Sequence, residues 1–97
     1  MSSRDWPTRS EMVVLRTLLD SPEGMYGLQV VAASHGAITR TSVYVLLSRL
    51  TNKGFVKVKK PKRDPQYPGL PRPLYVLTAD GMRLLSAAEA IAMGVGA

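Results

Sequence analysis

Ninety-seven residues with 13 Lys and Arg against 7 Asp and Glu, a formal net charge of +6, allow one small basic domain. A chain of this size buries only about two-thirds of the surface its unfolded form exposes, so association with a second copy is a common remedy. The absence of cysteine excludes a disulfide frame and a thiolate site, and no stretch approaches the roughly 20 apolar residues of a membrane span.

The chain opens Met1-Ser2-Ser3-Arg4-Asp5-Trp6-Pro7, without the apolar run of a signal peptide, and a cytoplasmic protein is expected. Residues 1–9 read as a flexible arm, residues 10–78 as a compact domain and residues 79–97 as a C-terminal helix. Trp6, the only tryptophan, either anchors the arm to a core or partner or walls a ligand pocket. A first helix is predicted from Ser10 and Glu11 to about Asp20, with Val13, Val14, Thr17 and Leu18 as its buried stripe and Leu15 and Leu19 nearby. The turn cluster Ser21-Pro22-Glu23-Gly24 follows. A second helix runs from Leu28 to about Ser34 and ends at His35-Gly36. His35, the only histidine, has no metal-ligand spacing around it and is read as a capping or surface group.

Ala37 and Ile38 form an extended link that could add a third strand to a sheet. A third helix, 40–53, then follows with Thr39 as its N-cap. At about 100° per residue, Val43, Leu46, Leu47 and Leu50 share one side, wide enough to face a core. Thr41, Val45, Ser48 and Asn52 lie opposite, flanked by Tyr44 and Arg49. These side chains are short enough to approach base edges, and Arg49 can reach either guanine or a phosphate. Tyr44 can instead half-bury against the core.

Gly54 is placed to close that helix. Phe55-Val56-Lys57-Val58-Lys59 then alternates with period two, which puts its lysines on one face. The stretch from Lys60 to Pro73 carries five prolines, which cannot donate to a sheet, so it is predicted to bulge as a loop between two strands. Tyr67 within it can stack or pack on prolines, and Arg63 and Arg72 can enter a narrow minor groove or line the backbone. After the loop, Tyr75 and Leu77 should point to the core.

Thr78 and Asp80 suit the start of a last helix, Ala79 to about Met93. Its stripe of Leu84, Leu85, Ala88, Ile91 and Ala92 would be left uncovered by a three-helix core, so a two-fold homodimer through this helix is expected.

Charge is not spread evenly along this order. Residues 39–78 hold nine bases and one acid, and the rest of the chain four bases and six acids. A polyanionic partner is implied for that segment alone. Helix, strand, basic loop, strand is the order of a winged helix-turn-helix, a mostly helical α+β fold with a two- or three-stranded wing sheet. Its helix enters a major groove while the wing follows backbone or minor groove. The residues expected at double-stranded DNA are Thr39, Arg40, Thr41, Ser42, Tyr44, Val45, Ser48 and Arg49 on the helix, and Lys57, Lys59, Lys60, Lys62, Arg63 and Arg72 on the wing.

Three local patterns resemble the PadR family of bacterial winged-helix transcriptional regulators. They are Met25-Tyr26-Gly27-Leu28, the run Ile38-Thr39-Arg40-Thr41-Ser42-Val43-Tyr44 continuing through Gly54-Phe55-Val56, and Tyr75-Val76-Leu77-Thr78-Ala79-Asp80-Gly81. That resemblance spans roughly residues 11–85. It implies a DNA contact from Tyr44, Thr39 to Ser42 at the groove, and operator binding as a homodimer, usually for repression. In some members aromatic small molecules relieve that repression. The chain departs from the family in its short last helix, in its long proline-rich wing, and in Thr41 where glycine is frequent. The alternative class is a winged-helix module that binds an acidic protein partner through the basic loop. Neither a catalytic set nor a cofactor motif is present, so no enzyme and no cofactor are expected.

Overall fold

The computed structural model describes residues 7–64 and 67–94, with side chains described outside 60–72 and 92–94. Its elements are α1 (Arg9–Leu19), α2 (Gly27–Ala33), α3 (Arg40–Asn52), β1 (Val56–Asp64), β2 (Tyr67–Leu77) and α4 (Ala79–Gly94). The arm's Trp6 lies outside the described residues.

α1 begins earlier than the hydropathy pattern suggests because Thr8-x-x-Glu11 forms a capping box. The Glu11 amide donates to Thr8 Oγ1 at 3.1 Å, and the Thr8 amide donates to Glu11 Oε1 at 2.9 Å. The buried stripe is Glu11, Val14, Leu15 and Leu18, with Val13 and Thr17 half-buried and Leu19 exposed. The predicted stripe is thus rotated toward Leu15. Its first member is an acid, which a search for apolar periodicity passes over.

α2 ends in a turn that His35 (φ 53°) and Gly36 (φ 90°) take through the left-handed region. Here histidine contributes backbone geometry at an exposed position. The Ser34 hydroxyl donates to Val31 O at 2.8 Å and accepts from the Ile38 amide at 3.0 Å, which draws Ile38 into the core. Ala37 and Ile38 therefore form no strand. The additional rung lies earlier in the chain, where Met25 and Tyr75 exchange amide-to-carbonyl bonds of 2.9 and 2.8 Å beside the two-stranded sheet.

β1 and β2 pair antiparallel, Val56 opposite Leu77 and Lys59 opposite Leu74; pairing resumes with Lys62 opposite Arg72 and Arg63 opposite Pro71, and after a second register shift Asp64 lies opposite Tyr67. The expected proline loop from 60 to 73 is instead mostly strand, and the expected bulging survives as two breaks in the ladder, at residues 60–61 and 68–70. A two-stranded ribbon has two outer edges, so a proline whose missing donor faces outward costs no ladder bond. The irregularity between Lys59 and Lys62 falls where Pro61 sits. Leu77 is buried and Tyr75 half-buried on one face, as expected. Leu74 and Val76 on the other face are buried too, because the turn at Gly24 (φ 103°) lies against their side chains.

The core joins all four helices to the base of the wing, through Val14, Leu15, Leu18, Val43, Leu47, Leu50, Val56 and Leu85 among others. α4 belongs to it: Leu84, Leu85 and Ala88 are buried within this chain, Leu85 to 1% exposure. Those three side chains are therefore not the uncovered stripe that the sequence suggests. α4 packs along α1, where Arg16 and Glu89 form an ion pair. Among its described side chains, the large apolar groups left in solvent are Met82 and Ile91, at 48% and 49% exposure. Ala92 is on the helix backbone, with its side chain outside the description.

A candidate nucleic-acid interface

α3 carries the candidate surface, and its local sequence explains its start, end and orientation. Thr39, in extended conformation, accepts from the Ser42 amide through Oγ1 at 3.3 Å. The same oxygen lies 3.0 Å from Thr41 Oγ1 and 2.8 Å from Ser42 Oγ, so three hydroxyls converge on the helix's first turn. At the other end Lys53 is the C-cap and Gly54 (φ 86°) reverses the chain. The helix is one residue shorter than the 40–53 span predicted.

Val43, Leu46, Leu47 and Leu50 are buried, and Arg40, Thr41, Tyr44, Val45, Ser48, Arg49 and Asn52 are exposed, with Ser42 intermediate. The helix is therefore half in the core and half in solvent. Along the outer half, Tyr44, Val45, Ser48, Arg49 and Asn52 line an open depression of about 480 Å³.

Tyr44 is held as well as shown. It is 46% exposed, yet its ring lies against the backbone of Gly27 at the start of α2: a Cβ there would sit 2.6 to 2.9 Å from Tyr44 Cε1, Cζ and Oη. Gly27 is thus the residue that admits the ring. One side of the Tyr44 ring is packed, as the half-burial reading has it, and the rest of the ring is open to solvent. Burial, and then the nearby Tyr44 hydroxyl, push the Tyr75 hydroxyl above its ordinary pKa of 10.0.

The wing is tied to the end of this helix by backbone bonds. Phe55 donates to Leu50 O at 3.0 Å, Thr78 N donates to Phe55 O at 3.1 Å, and the Thr78 hydroxyl donates to Gly54 O at 2.7 Å. Thr78 Oγ1 also accepts from the Gly81 amide at 3.0 Å, capping α4. One threonine thereby joins the α3–β1 turn to α4. Lys57 and Lys59 are exposed at the base of the ribbon, two residues apart and so on one face. Lys60, Lys62 and Arg63 lie on the backbone of β1 and Arg72 on that of β2, with their side chains outside the description.

Lys53 has a different assignment from the other bases of its segment. Its ammonium lies 3.5 Å from Glu11 Oε2, on a carboxylate that is 1% exposed and has no hydrogen bond at that oxygen. A carboxylate so removed from water requires a counter-charge, and Lys53 supplies it across the junction of α1 and α3. Hydropathy gives no hint of this pair. The Thr-x-x-Glu spacing gives a hint of its acid half.

Among the described residues, no three His, Cys, Asp or Glu side chains are grouped to hold a metal ion, and no helix is long and apolar enough to cross a membrane.

Neither a family model nor a curated protein sequence matches the chain. Solved structures do match. BpsR of Bordetella bronchiseptica, whose DNA binding is regulated by 6-hydroxynicotinic acid, superposes with a TM-score of 0.72 and 27% identity over 93% of this chain and 59% of its own. A PadR-like transcription factor from Bacteroides fragilis matches with a TM-score of 0.69 and 26% identity, over 91% of this chain and 86% of its own. The fold is a winged helix-turn-helix. The winged helix of CouR, a transcriptional repressor bound to a 23-mer DNA duplex, shares the architecture at 21% identity and a TM-score of 0.69. This chain covers 94% of itself in that match and spans 59% of CouR, so it is shorter than BpsR and CouR by about two fifths. In the vocabulary of this fold α3 occupies the recognition-helix position and the β1–β2 ribbon is the wing.

Proposed function

We propose that this chain binds double-stranded DNA sequence-specifically as a transcriptional regulator of the PadR type, acting as a repressor. α3 enters the major groove and presents Thr41, Tyr44, Val45, Ser48 and Arg49 to base edges. Thr39, Arg40 and Ser42 meet the strand at the helix's first turn, and Lys57, Lys59, Lys60, Lys62, Arg63 and Arg72 on the wing meet backbone or minor groove. The observation that carries this reading is the division of α3. Its inner side is buried, its outer side is a solvent-open row of short polar, aromatic and cationic side chains, and a lysine-bearing ribbon is bonded to its end.

The PadR assignment rests on the three sequence patterns above and on the match to the Bacteroides fragilis factor, which spans most of both chains. The unit 10–78 serves as the DNA-binding domain. α4 serves as the dimer element through its exposed Ile91, with the arm 1–9 contributing. Two copies would set their recognition helices about 34 Å apart, on successive major grooves of a pseudo-palindrome.

Selection of bound duplexes from a random library is the test. A shared motif repeated as two half-sites about one helical turn apart is expected. Recovery of unrelated sequences, retained only at low salt, would leave a sequence-blind module for acidic partners and overturn the proposal.

A further inference from the structure

The residue at the centre of the α3 surface is one the fold gives no reason to keep. Val45 is 55% exposed, more than any other large apolar side chain among the described residues. A β-branched residue is a poor choice for an exposed helix position, since its χ1 freedom is restricted against the preceding turn. Its two methyls gain nothing from the fold itself, and only a partner that covers them would remove their apolar surface from water. Neither helix formation nor the core accounts for it.

Its neighbours differ from it in chemistry. The hydroxyls of Thr41 and Ser42, one turn N-terminal, are turned onto Thr39 in the cap. Ser48, Arg49 and Asn52 on the C-terminal side supply hydrogen-bonding groups, and the ring of Tyr44, fixed against Gly27, stands beside Val45 along the same depression. The result is an apolar step between two polar stretches of one helix face. The seven helical steps from Val45 to Asn52 rise about 10 Å, the height of about three base pairs. The major-groove edge has one apolar feature, the thymine C5 methyl.

We infer that Val45, beside the ring of Tyr44, is a specificity-determining residue that packs on a thymine methyl in each half-site. The base pairs beside that thymine then fall to Ser48, Arg49 and Asn52. This rests on the DNA-binding reading given above and names the base that reading leaves open. A cytosine at that position would present an amino donor and no methyl to an apolar partner, and would be disfavoured for the same reason.

The test uses the full-length protein and the duplex recovered from the random library, with each thymine of a half-site replaced in turn by deoxyuridine. That change deletes one methyl and keeps every hydrogen-bonding group. Wild-type protein should lose about fourfold in affinity at one or two thymines, the effect of one methyl no longer buried. Val45→Ala, which leaves the core untouched, should bind the same duplex more weakly and show a flat profile across the substitutions. A flat profile for the wild type, the same sensitive positions in Val45→Ala, or a selected half-site without thymine would overturn the inference. In each of those cases a preferred duplex still exists and the DNA-binding reading survives. Failure to recover any preferred duplex overturns both.

Discussion

Gly81→Ala sets two opposing effects against each other, and the structure says which wins. Gly81 sits in the first turn of α4, where alanine is favoured over glycine by up to about 1 kcal/mol on helix propensity. A Cβ at Gly81 would lie 2.2 Å from the carbonyl oxygen of Phe55 and 2.7 Å from Leu77 Cδ1, whereas ordinary contact begins at 3.4 Å. The helix and the α3–β1 turn must therefore part by about 1.2 Å, and the nearer atom is backbone that no rotamer can move. Such overpacking costs about 1 to 3 kcal/mol. The Thr78 amide bond to Phe55 O, 3.1 Å long, spans the same gap, and weakening it adds about 1 kcal/mol. The net is a destabilisation on the order of 1 to 3 kcal/mol, or a fall in Tm on the order of 10 °C for a domain of this size. Thermal unfolding followed by circular dichroism measures it. An unchanged or higher Tm would mean that propensity prevails and that α4 is not seated on the wing base as described.

Other perturbations address the remaining junctions. Lys53→Met should destabilise the fold by about 2 kcal/mol, because it leaves the Glu11 carboxylate buried without its counter-charge. In denaturant titrations, Glu11→Gln in that background should restore part of the loss, and a variant as stable as wild type would refute the pairing. Tyr75 holds its proton more tightly folded than unfolded. Its contribution is therefore complete below about pH 10, and stability falls as pH rises through the raised folded-state value. Tyr75→Phe should flatten that alkaline decline, and an unaltered decline would mean that another group causes it. Leu85→Ala should cost about 2 to 5 kcal/mol of monomer stability, whereas Ile91→Asp should spare the fold and shift sedimentation from dimer to monomer. Identical sedimentation of wild type and Ile91→Asp would remove Ile91 from any dimer contact.

The sequence is most informative where periodicity is strong. The inner and outer halves of α3 follow from the spacing of Val43, Leu46, Leu47 and Leu50 alone, and every one of them is buried. Long-range contacts are less legible. Leu84, Leu85 and Ala88 look available to a partner because a helix at the end of a chain has no obvious neighbour, but α1 covers them. The prolines of the wing misdirect in another way. They exclude a central strand, yet a two-stranded ribbon has only edges, so both strands run on past them while the ladder breaks near Pro61 and Pro68. Glu11 and Gly27 illustrate the third case. A buried acid and a glycine beneath a tyrosine ring depend on residues 42 and 17 positions further along, and no local pattern carries that distance.

The affinity ratio between the selected duplex and a scrambled one, measured by fluorescence anisotropy across a salt series, bears most directly on the role of α3. Wild-type protein should prefer the selected duplex by at least about a thousandfold. Lys57→Ala and Lys59→Ala should weaken both duplexes and reduce the salt slope by about one unit each, while Ser48→Ala and Arg49→Ala lower the ratio itself. A ratio near one for the wild type, or losses from Ser48→Ala and Arg49→Ala that are equal on both duplexes, would contradict base reading by the exposed side of α3.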